Sequence, residues 1–455
     1  MTAAVLVLCA LGGGSSRADT ASLLYLRPLA GFLLAGLVLL QPTMVGNPMR
    51  APLVLLGLLA ATIAIQLIPL PPGIEMRLPG HGLLAGAATL GEGTAWRPIS
   101  LAPLMTLNSL LALLPMAVVL VGCAGLDHRG LERLVVVVIA ITFASAIMGL
   151  VQIGSGMSGP AYIYAVSSEG LPVGLLANRN HQAALLAIAL PMLGIWTRFD
   201  ARSRQWNQAR MLIAGALAIL FLAMILVTGS RAGLVLGAIG LLAGIALGPK
   251  PKMLRRRRSA MLGAIGAVAV AVVLIGIVLS SGRALSIQRL LTAGGTASEQ
   301  RIDALPTLLH MTRTFLPFGT GFGSFDPVFR MFEPDAALHS HYFNHAHNDV
   351  IELVLTGGIP ALLVVVAALA WLARASLRIA AAGWTLDRDG RLGWVGIVSC
   401  LMLLAGSVAD YPLRTPLLSA ILAFAVACVA HAVGVGGASQ RSVRDDMLVG
   451  QGRHR

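Results

Sequence analysis

The sequence predicts an all-α polytopic membrane protein with about twelve transmembrane helices and a helical outer loop between the ninth and tenth. Three observations carry that prediction. Of 455 residues, 57% are hydrophobic, against about 45–50% in a soluble domain. Only 11% are charged, where a soluble domain carries about 25%. The apolar residues fall in long unbroken runs, whereas barrel strands alternate apolar and polar over about ten residues. The mean hydropathy of +0.83 agrees. A soluble enzyme, a disordered chain and a collagen-like fibre are excluded, because so few charges cannot cover a soluble surface.

A bilayer core needs about 20 apolar residues per helix. The runs fall near 2–13, 26–41, 51–70, 103–124, 134–153, 180–197, 211–228, 233–248, 260–280, 350–373, 393–409 and 416–434. The first is short. It has no basic residue before it and no small-residue cleavage site after it, so it counts as a span and not as a signal peptide. Residues 1–435 then form a single membrane domain, and 436–455 read as a polar, disordered cytoplasmic tail.

Charge orients the twelve spans. With both termini inside, the inner loops and tail hold 21 of the 33 Lys and Arg and seven of the 19 acids. The outer loops hold twelve of each, so the net charge of +14 sits on the inner face. This is the pattern of the positive-inside rule. The run Arg255 to Arg258 marks an inner loop. Cys9, Cys123, Cys400 and Cys428 lie far apart in apolar runs and read as core residues.

The long outer segment, 281–349, has structure of its own. Thr296 and Glu299 suit a capping box for a helix starting near 297. Ile302, Leu305, Leu309 and Thr312 would share one face of it, and the helix is expected to lie on the membrane surface. The glycine-rich stretch PFGTGFGSF follows. It lacks the preceding strand of a nucleotide fingerprint, so close backbone packing or an anion-binding nest is expected.

The unusual polar clusters all reach the outer face: LANRNHQ at 176–182, TGSRAG at 228–233, the 281–349 segment and DYPLRTP at 410–416. Five of the ten histidines are His310, His339, His341, His345 and His347. His345, His347, Asn348 and Asp349 stand directly before a span, where a histidine suits general-base work near neutral pH. A metal site on His341, His345 and His347 is the rival reading, without an HExxH or a recognised ligand spacing to support it. Arg231 sits in a tight outer turn, and its fork suits a phosphate as well as lipid headgroups. Arg301 and Arg414 are placed to join it around a diphosphate, although Arg414 equally suits a salt bridge to Asp410. Asn180 and His181 belong to a polar cap on the sixth span, part of which is helix capping. Asp387-Arg388-Asp389 reads as a solvated inner turn. No span carries a charge near its midpoint, which argues against an ion-coupled carrier and for chemistry at the outer surface.

These motifs resemble the O-antigen ligase family, which includes O-antigen polymerases and protein O-oligosaccharyltransferases. NRNHQAA resembles the family's N-R-N-H segment and TGSRAG its S-R-A/G turn. SEQRIDALPTLLHMTRTFLPFGTGFGSF resembles its arginine-led outer helix followed by G-x-G-x-x-F. HAHNDVIELVLTGG resembles its H-x-H-N element, and DYPLRTP its D-Y-P-L-R-T stretch.

The resemblance implies a GT-C-like membrane glycosyltransferase of the bacterial inner membrane, inverting, metal-independent and without a cofactor. Its donor would be a glycan on undecaprenyl diphosphate, its acceptor lipid A-core or another glycan, and its site periplasmic. His347 would be the base, with Arg231 and Arg301 on the diphosphate. The family often has an acid about nine residues after that histidine, where this chain has Thr356; the nearest acid is Glu352. Ligase, polymerase and protein transferase share these motifs. A flippase or exporter of lipid-linked glycan and a metal-dependent hydrolase are the rival classes; no nucleic-acid partner is expected.

Overall fold

The computed structural model describes residues 1–40, 48–84, 96–155, 159–168, 170–200, 203–249, 303–335, 344–381 and 388–452, with side chains as far as 435. It is almost wholly helical, with one small antiparallel pair, Pro69–Leu70 (β1) with Arg97–Pro98 (β2). The N-terminal helices are Thr2–Gly12 (α1), Leu23–Leu40 (α2), Arg50–Ile65 (α3), the single turn Pro72–Glu75 (α4), Pro103–Leu111 (α5) and Leu114–Ala124 (α6). The central helices are His128–Gly154 (α7), Arg179–Trp196 (α8), Arg204–Thr228 (α9) and Arg231–Leu247 (α10). Leu305–Phe315 (α11) and the short Phe325–Phe329 (α12) lead to Asp349–Ala381 (α13), Arg388–Ala409 (α14) and Pro416–Gly452 (α15).

Among the described residues, seven stretches are long and apolar enough to cross a bilayer: α2, α5 with α6, α7, α9, α13, α14 and α15 as far as Val435. Three shorter apolar helices, α1, α3 and α10, stand beside them. Apolar side chains such as Phe32, Leu242, Ile245 and Leu363 lie exposed on these helices, as lipid-facing residues do. The ninth run, 260–280, and the expected helix start near 297 lie outside the described residues, as do Arg255 to Arg258, His339 and His341.

Three elements differ from the sequence reading. The run 103–124 is broken between α5 and α6, because Pro115 lacks an N–H for the ladder and its ring crowds the carbonyl one turn back. The backbone of α15 continues as helix to Gly452, through the stretch expected to be disordered; it contains no proline to stop it. On α11 the core face is Leu308, Met311 and Phe315, while Leu305 and Leu309 face outward.

The centre of the bundle is α8, fourteen of whose eighteen residues are buried. Lipid removes the usual hydrophobic drive between helices, so close backbone contact has to replace it. α10 supplies it through Gly233, Gly240, Gly244 and Gly248, which face Ala183, Ala187, Leu190 and Gly194 in register. A Cβ at Gly240 would stand 2.5 Å from the Ala187 carbonyl oxygen, and one at Gly244 2.7 Å from that of Leu190. α8 and α10 therefore run parallel, with their N-terminal ends side by side.

The opposite end of the bundle is held by charge. Arg388 grips Glu132 side-on at 2.6 and 2.9 Å and reaches Asp200 at 2.9 Å. Asp389 lies 3.3 Å from His431. The stretch expected to be a solvated turn is thus a clamp joining α7, α14, α15 and the end of α8.

Candidate active site

Six helix ends meet at one face, the starts of α8, α10, α13 and α15 and the ends of α9 and α14, and local capping builds most of them. Asn178 caps α8 by accepting from the Asn180 N–H at 2.8 Å. Gly229, at φ +63°, ends α9, and Ser230 caps α10 through the Gly233 N–H at 3.0 Å. Asn348 caps α13, accepting from Val350 and Ile351 at 3.0 and 3.1 Å, while its amide donates to the Val408 carbonyl at the end of α14. Pro412–Arg414 forms a 3-10 turn between α14 and α15.

His347 stands at the centre. Its φ of +51° lies in the left-handed region, which costs a side chain with a Cβ about 1–3 kcal/mol and is found mainly where surroundings impose it. Its Nδ1 lies 3.3 Å from Asp410 Oδ1. Asp410 also accepts from the Asn180 amide at 2.6 Å and from the Tyr411 N–H at 3.1 Å. The sequence leaves Asn348 or Asp349 as the residue orienting this ring; the structure gives the role to Asp410. Burial opposes the charge on Asp410, but hydrogen bonds from His347 and Asn180 and the nearby imidazoles outweigh it, holding the carboxyl below the usual carboxylate range.

A second carboxylate supports the turn from below. Glu352, fully buried, accepts from the Ala346 N–H at 2.8 Å and lies 3.0 Å from His345 Nδ1. Arg414 lies 3.2 Å from the same carboxylate and 3.1 Å from Asp349. Arg414 thus pairs with two acids of α13, and not with Asp410. Burial opposes its charge, yet Glu352 and Asp349 raise its pKa above the ordinary value. Tyr411 packs against three imidazoles: His345 at 4.5 Å, His347 at 5.0 Å and His181 at 5.2 Å between ring centroids. His181 is almost completely buried, and neither ring nitrogen has a hydrogen-bond partner among the described residues.

The glycine-rich stretch 317–323 positions this turn from the other side. Gly358, at φ +63°, breaks α13 just before Pro360. The carbonyls of Leu355 and Thr356 are freed, and the N–H groups of Thr320 and Gly321 take them up at 3.0 and 2.9 Å. Gln66 completes the stitch, donating to Phe318 and Thr356 and accepting from Phe322. A Cβ at Gly319 would stand 2.6 Å from the Thr356 carbonyl oxygen. Here the glycines serve close backbone packing.

The structure thus brings together Asn180, His181, His345, His347, Asn348, Asp349 and Arg414. Arg231 opens α10, two residues before the Gly233 contact with Ala183, at the same end of the bundle. Arg301 lies outside the described residues, as does the His341 of the metal reading. His345 and His347 turn to different carboxylates. Sequence reasoning named Glu352 only as the nearest acid, and missed its partners, Tyr411 and the partner role of Asp410. The signal was an acid and an aromatic inside motifs already singled out.

Beside the cluster a cavity of about 570 Å³ enters the bundle. Its outer half is polar, with Arg17, Arg27, Asn108, His345 and Arg414 in the wall. Its inner half is apolar, reaching Trp371, Leu372 and Val426.

No curated protein matches the chain. Residues 216–366 match the family model described as O-antigen ligase. That stretch contains Arg231, Arg301, the whole 345–349 turn and Glu352; Asn180, Asp410 and Arg414, which hold the turn, lie outside it. Over that stretch, about a third of the chain, the protein is similar to the O-antigen ligase family.

Proposed function

We propose that this protein transfers a glycan from undecaprenyl diphosphate to an acceptor hydroxyl at the periplasmic face of the bacterial inner membrane, by inversion and without a metal. Both termini would be cytoplasmic. The observation that carries the reading is the His347–Asp410–Asn180 chain at the head of a cavity graded from polar to apolar.

Asp410 fixes the His347 ring through Nδ1, which directs the other nitrogen toward an incoming hydroxyl. As that hydroxyl gives its proton to His347, its oxygen attacks the anomeric carbon from the face opposite the diphosphate. The bond from carbon to the leaving oxygen breaks, and its electron pair departs with undecaprenyl diphosphate. The diphosphate is already a good leaving group, so the protein has to supply a base and cations against the developing charge. Arg231 and Arg301 would bear on the diphosphate. Arg414, committed to Asp349 and Glu352, would hold the turn in place and add positive potential. The polyprenyl tail would lie in the cavity.

The test is deletion in the native bacterium, with lipopolysaccharide and exopolysaccharide examined together. Lipid A-core left uncapped, with lipid-linked glycan accumulating, is the expected result. Glycan attached to lipid A-core as single units indicates the polymerase reading. Unchanged lipopolysaccharide and exopolysaccharide would overturn the proposal.

A further inference from the structure

The cavity wall carries three arginines and three aspartates, and their pairing is uneven. Arg17 pairs with Asp19 at 2.6 Å, Arg414 with Asp349 at 3.1 Å, and Asp326 with Arg330, outside the wall, at 2.8 Å. Arg27 has no carboxylate partner among the described residues. Its Nη1 donates to the Asn108 side-chain oxygen at 2.6 Å and its Nη2 makes a long 3.5 Å contact with the Asn108 carbonyl. Its Nε is buried and has no acceptor. Arg27 lies in the second turn of α2, half-buried, in the polar half of the cavity.

An unpaired guanidinium facing an apolar cavity is costly unless an anion meets it. Holding Nη1 on a neutral amide orients the fork without neutralising it. The Nε–H is thereby left without a protein acceptor among the described residues, and an arginine fork matches a phosphate as it matches a carboxylate.

The cavity's length selects the lipid. Its wall includes Asp349 and Leu372 of α13, twenty-three residues apart. Below the break at Gly358 the helix runs fourteen residues to Leu372, about 21 Å at 1.5 Å per residue. One leaflet is about 15 Å deep, half of a bilayer core of about 30 Å. The lining thus runs deeper than one leaflet, which suits a chain longer than an ordinary acyl chain. The Asn108 contact holds a cation in the wall of this cavity.

We infer that Arg27, oriented by Asn108, is a phosphate-binding residue for a polyprenyl diphosphate whose tail fills this cavity. The inference rests on the donor reading above and adds to it a residue that the motifs do not contain. It divides recognition of the donor: Arg27 bears on the phosphate nearer the tail, and Arg231 on the charge that develops at transfer.

Binding to the purified full-length protein in detergent tests it, with undecaprenyl diphosphate, undecaprenol and dioleoyl phosphatidic acid as probes. Wild type should bind the diphosphate at least about tenfold tighter than the alcohol, as expected for a charge-assisted contact worth about 1.5 kcal/mol or more. Arg27→Ala should lose that preference while binding undecaprenol as before. Arg27→Lys should keep part of it, and Asn108→Ala should weaken diphosphate binding severalfold. Diphosphate binding by Arg27→Ala within about twofold of wild type would overturn the inference. So would an equal loss of undecaprenol, which signals a collapsed cavity, or phosphatidic acid binding as tightly as the diphosphate. Should Arg27→Ala not fold, Arg27→Lys and Asn108→Ala carry the same test. If Arg27 governs diphosphate binding while no glycan is transferred to any acceptor, the function proposed above fails and this inference stands.

Discussion

Asp410 joins His347 to Asn180: one carboxylate oxygen lies 3.3 Å from the imidazole Nδ1 and the other accepts the amide at 2.6 Å. Three segments far apart in the chain are locked by this one side chain. It orients the ring, so the role proposed for His347 depends on a residue that need not touch substrate.

Asp410→Asn should therefore lose transfer while still binding lipid-linked donor. Its effect on stability has a definite pH window. The folded carboxyl is held below its ordinary value, so its contribution is complete above the unfolded pKa of about 3.9 and is lost as pH falls through the lower folded value. Thermal unfolding in detergent should show a constant gap between wild type and Asp410→Asn above about pH 5, narrowing below about pH 4. A gap that widens on acidification would contradict the assignment.

His347→Ala should insert and bind donor yet transfer about 100- to 10,000-fold more slowly, the usual worth of a positioned base. His345→Ala should be milder in the same assay of purified enzyme with lipid-linked glycan and acceptor. EDTA should leave wild type unaffected. Inactivation by EDTA with rescue by zinc would favour the metal reading instead.

Glu352→Gln removes a fully buried negative charge while leaving Arg414 beside Asp349 alone. Breaking a buried pair from one side costs about 3–5 kcal/mol. The variant should melt well below wild type, and Arg414→Ala should behave alike. Wild-type melting in both would show that these ions do not hold the turn.

Arg231→Lys keeps a positive charge but loses the planar fork. A large loss of transfer at normal expression is expected, from Arg301→Ala as well. Turnover at the wild-type level in both Arg231→Ala and Arg301→Ala would remove them from the mechanism.

The orientation is tested by fusion. Alkaline phosphatase joined near residue 320 should be active, and joined near residue 254 inactive. The opposite pattern would place the histidine turn in the cytoplasm and end the glycan-transfer reading.

The helices that the sequence shows best are those lipid obliges to be apolar. The runs at 180–197, 211–228 and 393–409 lie within a few residues of α8, the C-terminal part of α9 and the C-terminal part of α14. Helix starts are extended by polar residues such as Arg204 and Arg388, which hydropathy discards. The site motifs were legible because so many polar residues at helix ends are unusual in such a chain. Their pairing was not. His347 and Asp410 stand sixty-three residues apart, and Asn348 and Asp349 beside the histidine offered nearer partners. Arg27 was invisible for a related reason: a lone arginine near a helix end looks the same whether or not a carboxylate meets it. Only the packed structure shows that none does among the described residues.

The glycine seam between α8 and α10 has a mechanical consequence. Because the two backbones touch, there is no side chain between them to compress or rotate, and the helices can move only as one body. Arg231 is thereby indexed to His181 and Asn180 as a tooth is to its gear. Inserting one residue between Arg231 and Gly233 would swing the guanidinium by about 100° around the axis while leaving the seam intact. Arg231 could thus be turned away from the His347 turn without altering a single residue of either group.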